Sequence, residues 1–180
     1  MAAGTRDRIL DALETLLLSG GNAGITLEAV AAEAGVSKGG LLYHFPGKEA
    51  LLVGAVERLG ERVEEQFARA QAEGTSIAEW YLLPASEEPD SDVHIARSIL
   101  AVMRSADGQY ERVGDELTRI MRAYDERLLA ELGDPVLAEI VRLTGDGIYL
   151  GQIIGLDAPN PELNRRVIER LLSSVPDRTG

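Results

Sequence analysis

Residues 25–51, ITLEAVAAEAGVSKGGLLYHFPGKEAL, leave the chain little freedom. Leu27, Val30, Ala31 and Ala34 recur at three- and four-residue spacing, which sets them on one face of a helix. Thr26 precedes this run, and its hydroxyl suits an N-cap that accepts from a free backbone N–H of the first turn. Gly35 stands where a helix ends in a left-handed residue. Val36 turns back into the core, and Ser37 suits the cap of a second short helix. Two short helices joined by a glycine turn make a helix-turn-helix, whose second helix lies in the DNA major groove.

The helical spacing continues on both sides. Residues 5–19 place Ile9, Ala12, Leu13, Leu16 and Leu17 on an inward face, and glycines 20, 21 and 24 mark the loop after them. A long helix is predicted from about 46 to 71, with Leu52, Val56, Leu59, Val63 and Phe67 on one stripe. Residues 76–83 form a short apolar helix holding Trp80 and Tyr81, followed by an acidic, proline-punctuated loop over 84–92. A helix over 91–106 points Val93, Ala96, Ile99, Leu100 and Met103 inward. The next, over 109–132, points Tyr110, Val113, Leu117, Ile120, Met121, Tyr124 and Leu128 inward. Pro135 opens a helix that runs to about 154, a turn follows at 157–161, and a last helix covers 162–174. No strand pattern and no internal repeat occurs. The expectation is an all-α chain, in which a three-helix head is joined by a linking helix to a helical bundle.

At 180 residues the chain has room for two modest domains or one elongated helical one. It has no cysteine, which excludes disulfides and thiolate chemistry. No signal peptide and no stretch near the ~20 apolar residues of a membrane span is evident, so a cytoplasmic chain without a membrane partner is expected. The net charge of −12 is unusual for a DNA binder, but it is unevenly placed. Residues 1–48 sum to −1 and the remainder to −11, and the only two lysines, Lys38 and Lys48, both lie in the first part. A local basic patch can still meet phosphates, while an acidic body weakens non-specific binding.

The block over 5–55 resembles the tetracycline-repressor (TetR) family of bacterial transcriptional regulators. The resemblance rests on Thr26, Ala31, Gly35, Val36, Ser37, Leu41, Tyr43, His44, Phe45, Lys48, Glu49 and Leu51, and on the string Gly-Val-Ser followed by Tyr-His-Phe-x-x-Lys-x-x-Leu. Leu42 departs from the pattern where many relatives carry a second aromatic, and Pro46 and Gly47 stand where relatives often have polar residues. The resemblance implies a DNA-binding domain over 1–50 and an effector-binding and dimerisation domain over 51–180. It also implies a homodimer on a palindromic operator of double-stranded DNA, released by a small-molecule effector. Tyr43 and His44 carry over as contacts to the DNA backbone.

The recognition helix spans about 37–45, capped by Ser37. Lys38, Gly39, Gly40 and Leu42 hold its early, outward positions. Lys38 suits guanine O6 or N7, and Leu42 a thymine methyl. Gly39 and Gly40 each cost helix propensity, roughly 1 kcal/mol against alanine, and allow close approach of backbone to DNA. Lys48 and Thr26, each at the start of a helix, suit phosphate.

In the body, Gly147, Gly151 and Gly155 recur every four residues. Together with Leu163, Val167 and Leu171 of the last helix they resemble the family's four-helix dimer interface. The string GDGIYLG approaches a dinucleotide fingerprint and fails, because Leu150 replaces the third glycine and no strand precedes it. Effector-pocket candidates are Trp80, Tyr81, His94, Met103, Tyr110, Met121, Tyr124, Asp146 and Tyr149, with Asp146 the group suited to a cationic ligand. The Asp-Gly followed by an apolar run and the Leu-Asp-Ala-Pro turn resemble a TetR subgroup that includes multidrug-responsive repressors.

Two other functions compete. A helical metalloenzyme wants Glu-x-x-His pairs on facing helices, but Leu41 precedes His44 and Ser91 precedes His94 by three residues. No Ser-His-Asp set can be named, so neither a catalytic residue, a metal site nor a cofactor is expected. A DNA-binding protein without a ligand is the other alternative, and the sequence does not separate it from the ligand-released repressor.

Overall fold

The computed structural model describes residues 4–19, 25–82, 91–105, 110–156 and 160–175. Its elements are α1 Thr5–Leu18, α2 Leu27–Glu33, α3 Lys38–His44, α4 Lys48–Ala72, α5 Ile77–Leu82, α6 Ser91–Ser105, α7 Glu111–Leu132, α8 Pro135–Ile154 and α9 Pro161–Leu172. The all-helical expectation holds, and no strand occurs among the described residues. The expected glycine loop after α1, the acidic loop over 84–90 and the turn at 157–159 lie outside them.

The chain divides into two compact units, one formed by 1–61 with 90–118 and the other by 62–89 with 119–180. In the first, α1 packs against α2 and α6. Its Ile9, Leu10, Ala12, Leu13 and Leu17 are buried, as are Val30, Ala31, Leu41, Phe45, Leu51, Leu52, Ala55 and Val56. Each of the larger side chains contributes roughly 1.5–3 kcal/mol by leaving water. The ion pairs Arg6–Glu57 and Arg58–Asp11 tie α1 to α4 at the surface, where such pairs add at most about 1 kcal/mol each.

The inward face of α6 differs from the one expected. Val93, Ile95, Ile99 and Val102 are buried, while Ala96, Leu100 and Met103 are only half-buried. The helix is rotated because its neighbour is α1, where Ser98 Oγ donates to the Leu17 carbonyl at 3.1 Å. That contact joins positions 81 residues apart, which local periodicity does not register.

In the second unit, Phe67, Ile77, Ala78, Leu82, Tyr124, Leu128, Leu132, Ala138 and Val141 form one core. Met121, expected inward, is 39% exposed. Tyr124 and Leu128 are buried as expected, and the stripe in this unit continues through Leu132. Asp134 caps α8 by accepting from Val136 N and Leu137 N, and Pro135 fits the first turn, whose N–H groups need no helical partner. Gly155 ends α8 at φ 72°, a left-handed position that glycine occupies without a Cβ clash. Asn160 caps α9 by accepting from Leu163 N at 2.9 Å, and no residue of α9 is fully buried.

Candidate functional site

The head is held by three caps that the sequence announced. Thr26 Oγ1 accepts from Ala29 N at 3.1 Å, and Ser37 Oγ accepts from Gly40 N at 3.0 Å. Gly35 sits at φ 64°, with Val36 N donating to Ala31 O and Gly35 N to Ala32 O. This paired closure is a Schellman motif, and it turns the chain sharply from α2 into α3.

α3 is two-sided. Leu41 and the capping Phe45 are buried, whereas Lys38, Gly39, Leu42 and Tyr43 are exposed, Tyr43 by 85%. Burial of Leu41 and Phe45 sets the rotation of the helix and turns the other four toward solvent. The Tyr43 ring meets His44 edge-on at 5.2 Å, and His44 is half-buried. The two glycines differ. A Cβ on Gly39 would find its nearest atom, Ser37 Oγ, at 4.0 Å, whereas one on Gly40 would come within 3.3 Å of that capping hydroxyl. Gly40 thus serves the cap itself, and Gly39 leaves an open patch of backbone. Lys48 opens α4, and the first bond of that helix runs from Leu51 N to Gly47 O at 3.1 Å. Lys38 Nζ lies 2.6 Å from Glu28 Oε1 on α2.

In the second unit, four of the pocket candidates come together. Trp80 stacks on Tyr124 with centroids 5.3 Å apart and lies edge-on to Tyr81. The Tyr81 hydroxyl donates to Asp146 Oδ1 at 2.6 Å. Arg142 binds the other oxygen of Asp146 at 2.7 Å and also pairs with Glu139. Asp146 is therefore partnered twice within its own unit. Burial, then the Asp146 hydrogen bond and charge, push the Tyr81 hydroxyl well above the usual tyrosine range. Burial and the charge of Glu64 do the same to Tyr124. Burial raises the Asp125 carboxyl against the opposing pull of Arg142.

Tyr149 is exposed, and His94, Met103 and Tyr110 belong to the first unit. A shallow groove of about 380 Å3 opens beside the aromatic group, lined by Glu64, Phe67, Gln71, Ile77, Arg127 and Glu131 among others. Arg127 pairs with Glu64 at 2.9 Å, and its guanidinium lies 5.3 Å from the Phe67 ring and 5.4 Å from that of Tyr124. Glu131 accepts from Ile77 N. The sequence reading did not single out Glu64, Arg127 or Glu131, because nothing local in their spacing marks them.

α8 carries a second feature that spacing reveals once it is sought. Val136, Ile140, Leu143, Leu150 and Ile154 are all exposed, and with Gly147 they alternate by four and three residues. This is a straight apolar seam along one helix. Leu163 and Val167 of α9 are exposed too, while Leu171 is half-buried. Gly147 lies open on the seam, Gly151 meets the Leu156 carbonyl, and Gly155 is the left-handed terminus.

Residues 66–175 match the family described as Tetracyclin repressor-like, C-terminal domain, and residues 9–55 match Bacterial regulatory proteins, tetR family. The HTH-type transcriptional regulator LmrA of Bacillus subtilis (strain 168) is 37% identical over 76 residues, covering 42% of this chain and 40% of that protein. The HTH-type transcriptional repressor KstR of Mycolicibacterium smegmatis is 41% identical over 69 residues, covering 38% of this chain and 34% of that protein. The chain thus spans about two-fifths or less of the length of the curated relatives it matches. Among solved structures, the multidrug binding protein EbrR complexed with malachite green shares the fold. Its TM-score is 0.69 at 23% identity, covering 95% of this chain and 98% of that one. Among the described residues no helix is long and apolar enough to cross a membrane. With the two matches spanning head and body, the chain belongs to the TetR family of transcriptional regulators.

Proposed function

We propose that this chain is a homodimeric repressor that reads a palindromic operator through α3 and is released by a small-molecule effector. Regulators of this family bind DNA, are typically dimers and bind small-molecule ligands. The observation that carries the reading is the two-sided α3, with Lys38, Gly39, Leu42 and Tyr43 exposed beside buried Leu41 and Phe45. Lys38 and Leu42 read base edges, and Thr26, Tyr43, His44 and Lys48 hold phosphates. Ser37 and Gly40 keep the helix end in place. Phosphate contacts set register, and base contacts set sequence.

One head reads too little DNA to be specific. Two copies joined along the seam of Val136, Ile140, Leu143, Leu150 and Ile154, with Leu163, Val167 and Leu171 of α9, present two recognition helices. Binding both half-sites requires a separation of about 34–36 Å, one turn of duplex, or a related spacing. In this reading residues 1–50 bind DNA, and 51–180 bind the effector and the second copy. The effector class favoured is a lipophilic cation, on two grounds. The body carries Trp80, Tyr81 and Tyr124 beside carboxylates, and EbrR is a multidrug binding protein seen with malachite green. Release requires that the effector bind the DNA-free state better.

The ligand-independent reading has one observation in its favour. Asp146 is already held by Tyr81 and Arg142, and Trp80 stacks on Tyr124 rather than lining a void. Operator selection from a random duplex library, followed by a displacement screen with lipophilic cations, decides between them. Selection of a palindrome and its release by a cation support the repressor. Stable binding that no compound displaces favours the constitutive form, and no selected sequence at all sinks both.

A further inference from the structure

Glu28 stands in the first turn of α2 and Lys38 at the first position of α3, so their ion pair at 2.6 Å bridges the two helices of the head. Both side chains are more than half exposed, at 62% and 56%. The geometry is built from both sides. The Thr26 cap fixes the first turn of α2, and the Ser37 cap fixes that of α3. Lys38 draws the Glu28 carboxyl below its ordinary range, mainly through the hydrogen bond itself. Glu28 thus remains ionised at any pH near neutral. Beside a helix proposed to meet DNA, an unpaired carboxylate would repel phosphate, whereas this one is held by Lys38.

Resting on the assignment of α3 as the reading helix, we propose that Glu28 is a specificity-determining residue that directs the Lys38 ammonium to a base edge and away from phosphate. The ammonium has three donors. With one held by Glu28, the others can still reach guanine O6 and N7, which are neutral acceptors. The ion pair then survives on the correct base pair. A phosphate presents a full negative charge. Lys38 can meet it only by leaving Glu28 or by bringing that carboxylate alongside a second anion, and both are unfavourable. Glu28 therefore penalises random DNA more than the operator. It converts one of only two lysines in the chain from a general anchor into a reader.

The test uses the full chain as wild type, E28Q, K38Q and E28Q/K38Q. Each binds a selected operator duplex and a random duplex of equal length over a series of salt concentrations, with melting temperature recorded as a folding control. E28Q tightens binding to the random duplex several-fold and lowers the operator-to-random ratio. It also steepens the salt slope on random DNA by about 0.9, the value for one further phosphate contact. In the K38Q background these changes vanish. An equal E28Q effect with and without Lys38 would show that Glu28 acts only as a general negative charge and would overturn the proposal. So would an unchanged operator-to-random ratio. Wild-type protein that binds neither duplex instead removes the DNA-reading assignment beneath it.

Discussion

The Phe45 ring lies against the backbone of Gly54, so close that a β-carbon there would come within 2.7 Å of Phe45 Cε1. Phe45 caps α3, and Gly54 lies within α4, so this contact seats α3 on the helix that follows it. Helix propensity favours alanine over glycine by about 1 kcal/mol. Overpacking in a filled core costs about 1–3 kcal/mol and prevails here, since Leu10 Cδ2 also lies within 3.5 Å. Gly54→Ala is therefore expected to lower stability in urea denaturation and to weaken operator binding. Adding Phe45→Leu should recover part of the loss. An unchanged midpoint in the single variant would refute the seating role.

Two glycines of α8 should respond in opposite ways. A β-carbon on Gly145 would meet the Tyr81 ring and come within 2.7 Å of its carbonyl oxygen, whereas Gly147 has nothing within 4 Å. Gly145→Ala should unfold at clearly lower denaturant. Gly147→Ala should unfold at an equal or higher denaturant concentration, yet weaken self-association in sedimentation, because its methyl enters the seam. Equal destabilisation by both would show that the open face around Gly147 is not real.

The seam itself is open to a stronger perturbation. Leu143 and Leu150 are 57% and 52% exposed, so neither supports the fold of a single copy. Leu143→Glu or Leu150→Glu should leave the helical signal intact and convert a dimer to a monomer. Operator affinity should fall by at least tenfold, because each head then binds alone. A variant that stays dimeric would place the self-association surface elsewhere.

Alkaline pH provides a test of the second unit. Burial and Asp146 raise the Tyr81 hydroxyl, and burial and Glu64 raise Tyr124, above the ordinary tyrosine value of about 10. In the unfolded chain both ionise near that ordinary value. A raised folded value means that their stabilisation is complete below pH ~10 and declines as pH climbs past it. Thermal unfolding followed from pH 9 to about 11.5 should show this decline, and Tyr81→Phe should lessen it. The same variant should cost about 1 kcal/mol at pH 7 through the lost hydrogen bond to Asp146. A tyrosinate absorbance that develops fully near pH 10 in the folded protein would contradict the burial of both hydroxyls.

The two lysines should separate on DNA. Lys48→Ala should weaken binding to all sequences alike and flatten the salt dependence by about one contact. Lys38→Ala should change which base is preferred at one position of each half-site. Matching profiles for the two variants across an operator library would abolish the division of labour.

Local chemistry was legible where it acts over a few residues. The caps at Thr26 and Ser37, the left-handed Gly35 and the start at Pro135 follow from side-chain geometry within one turn. Leu41 and Phe45 are buried, as large apolar side chains in such a short helix usually are. Rotation of α6 was not legible, because Ile95 and Val102 are selected by α1, which is remote in sequence. The Glu28–Lys38 pair was also out of reach, since two exposed residues ten positions apart carry no apolar signal. The same holds for Tyr81 on Gly145, a contact visible only when α5 packs on α8. Periodicity tells which face of a helix is apolar, not which neighbour will choose the final rotation.

With lysines only at positions 38 and 48, every side-chain amine of the chain lies within the proposed DNA-binding residues 1–50. One is held in an ion pair and the other opens α4. Acylation at these amines therefore removes two of the four cationic side chains in residues 1–48 and leaves the charge of every other side chain in the chain untouched. For the same reason, a label read out at lysine side chains reports on positions 38 and 48 alone, and its protection by duplex tests whether they meet DNA without any substitution in the protein.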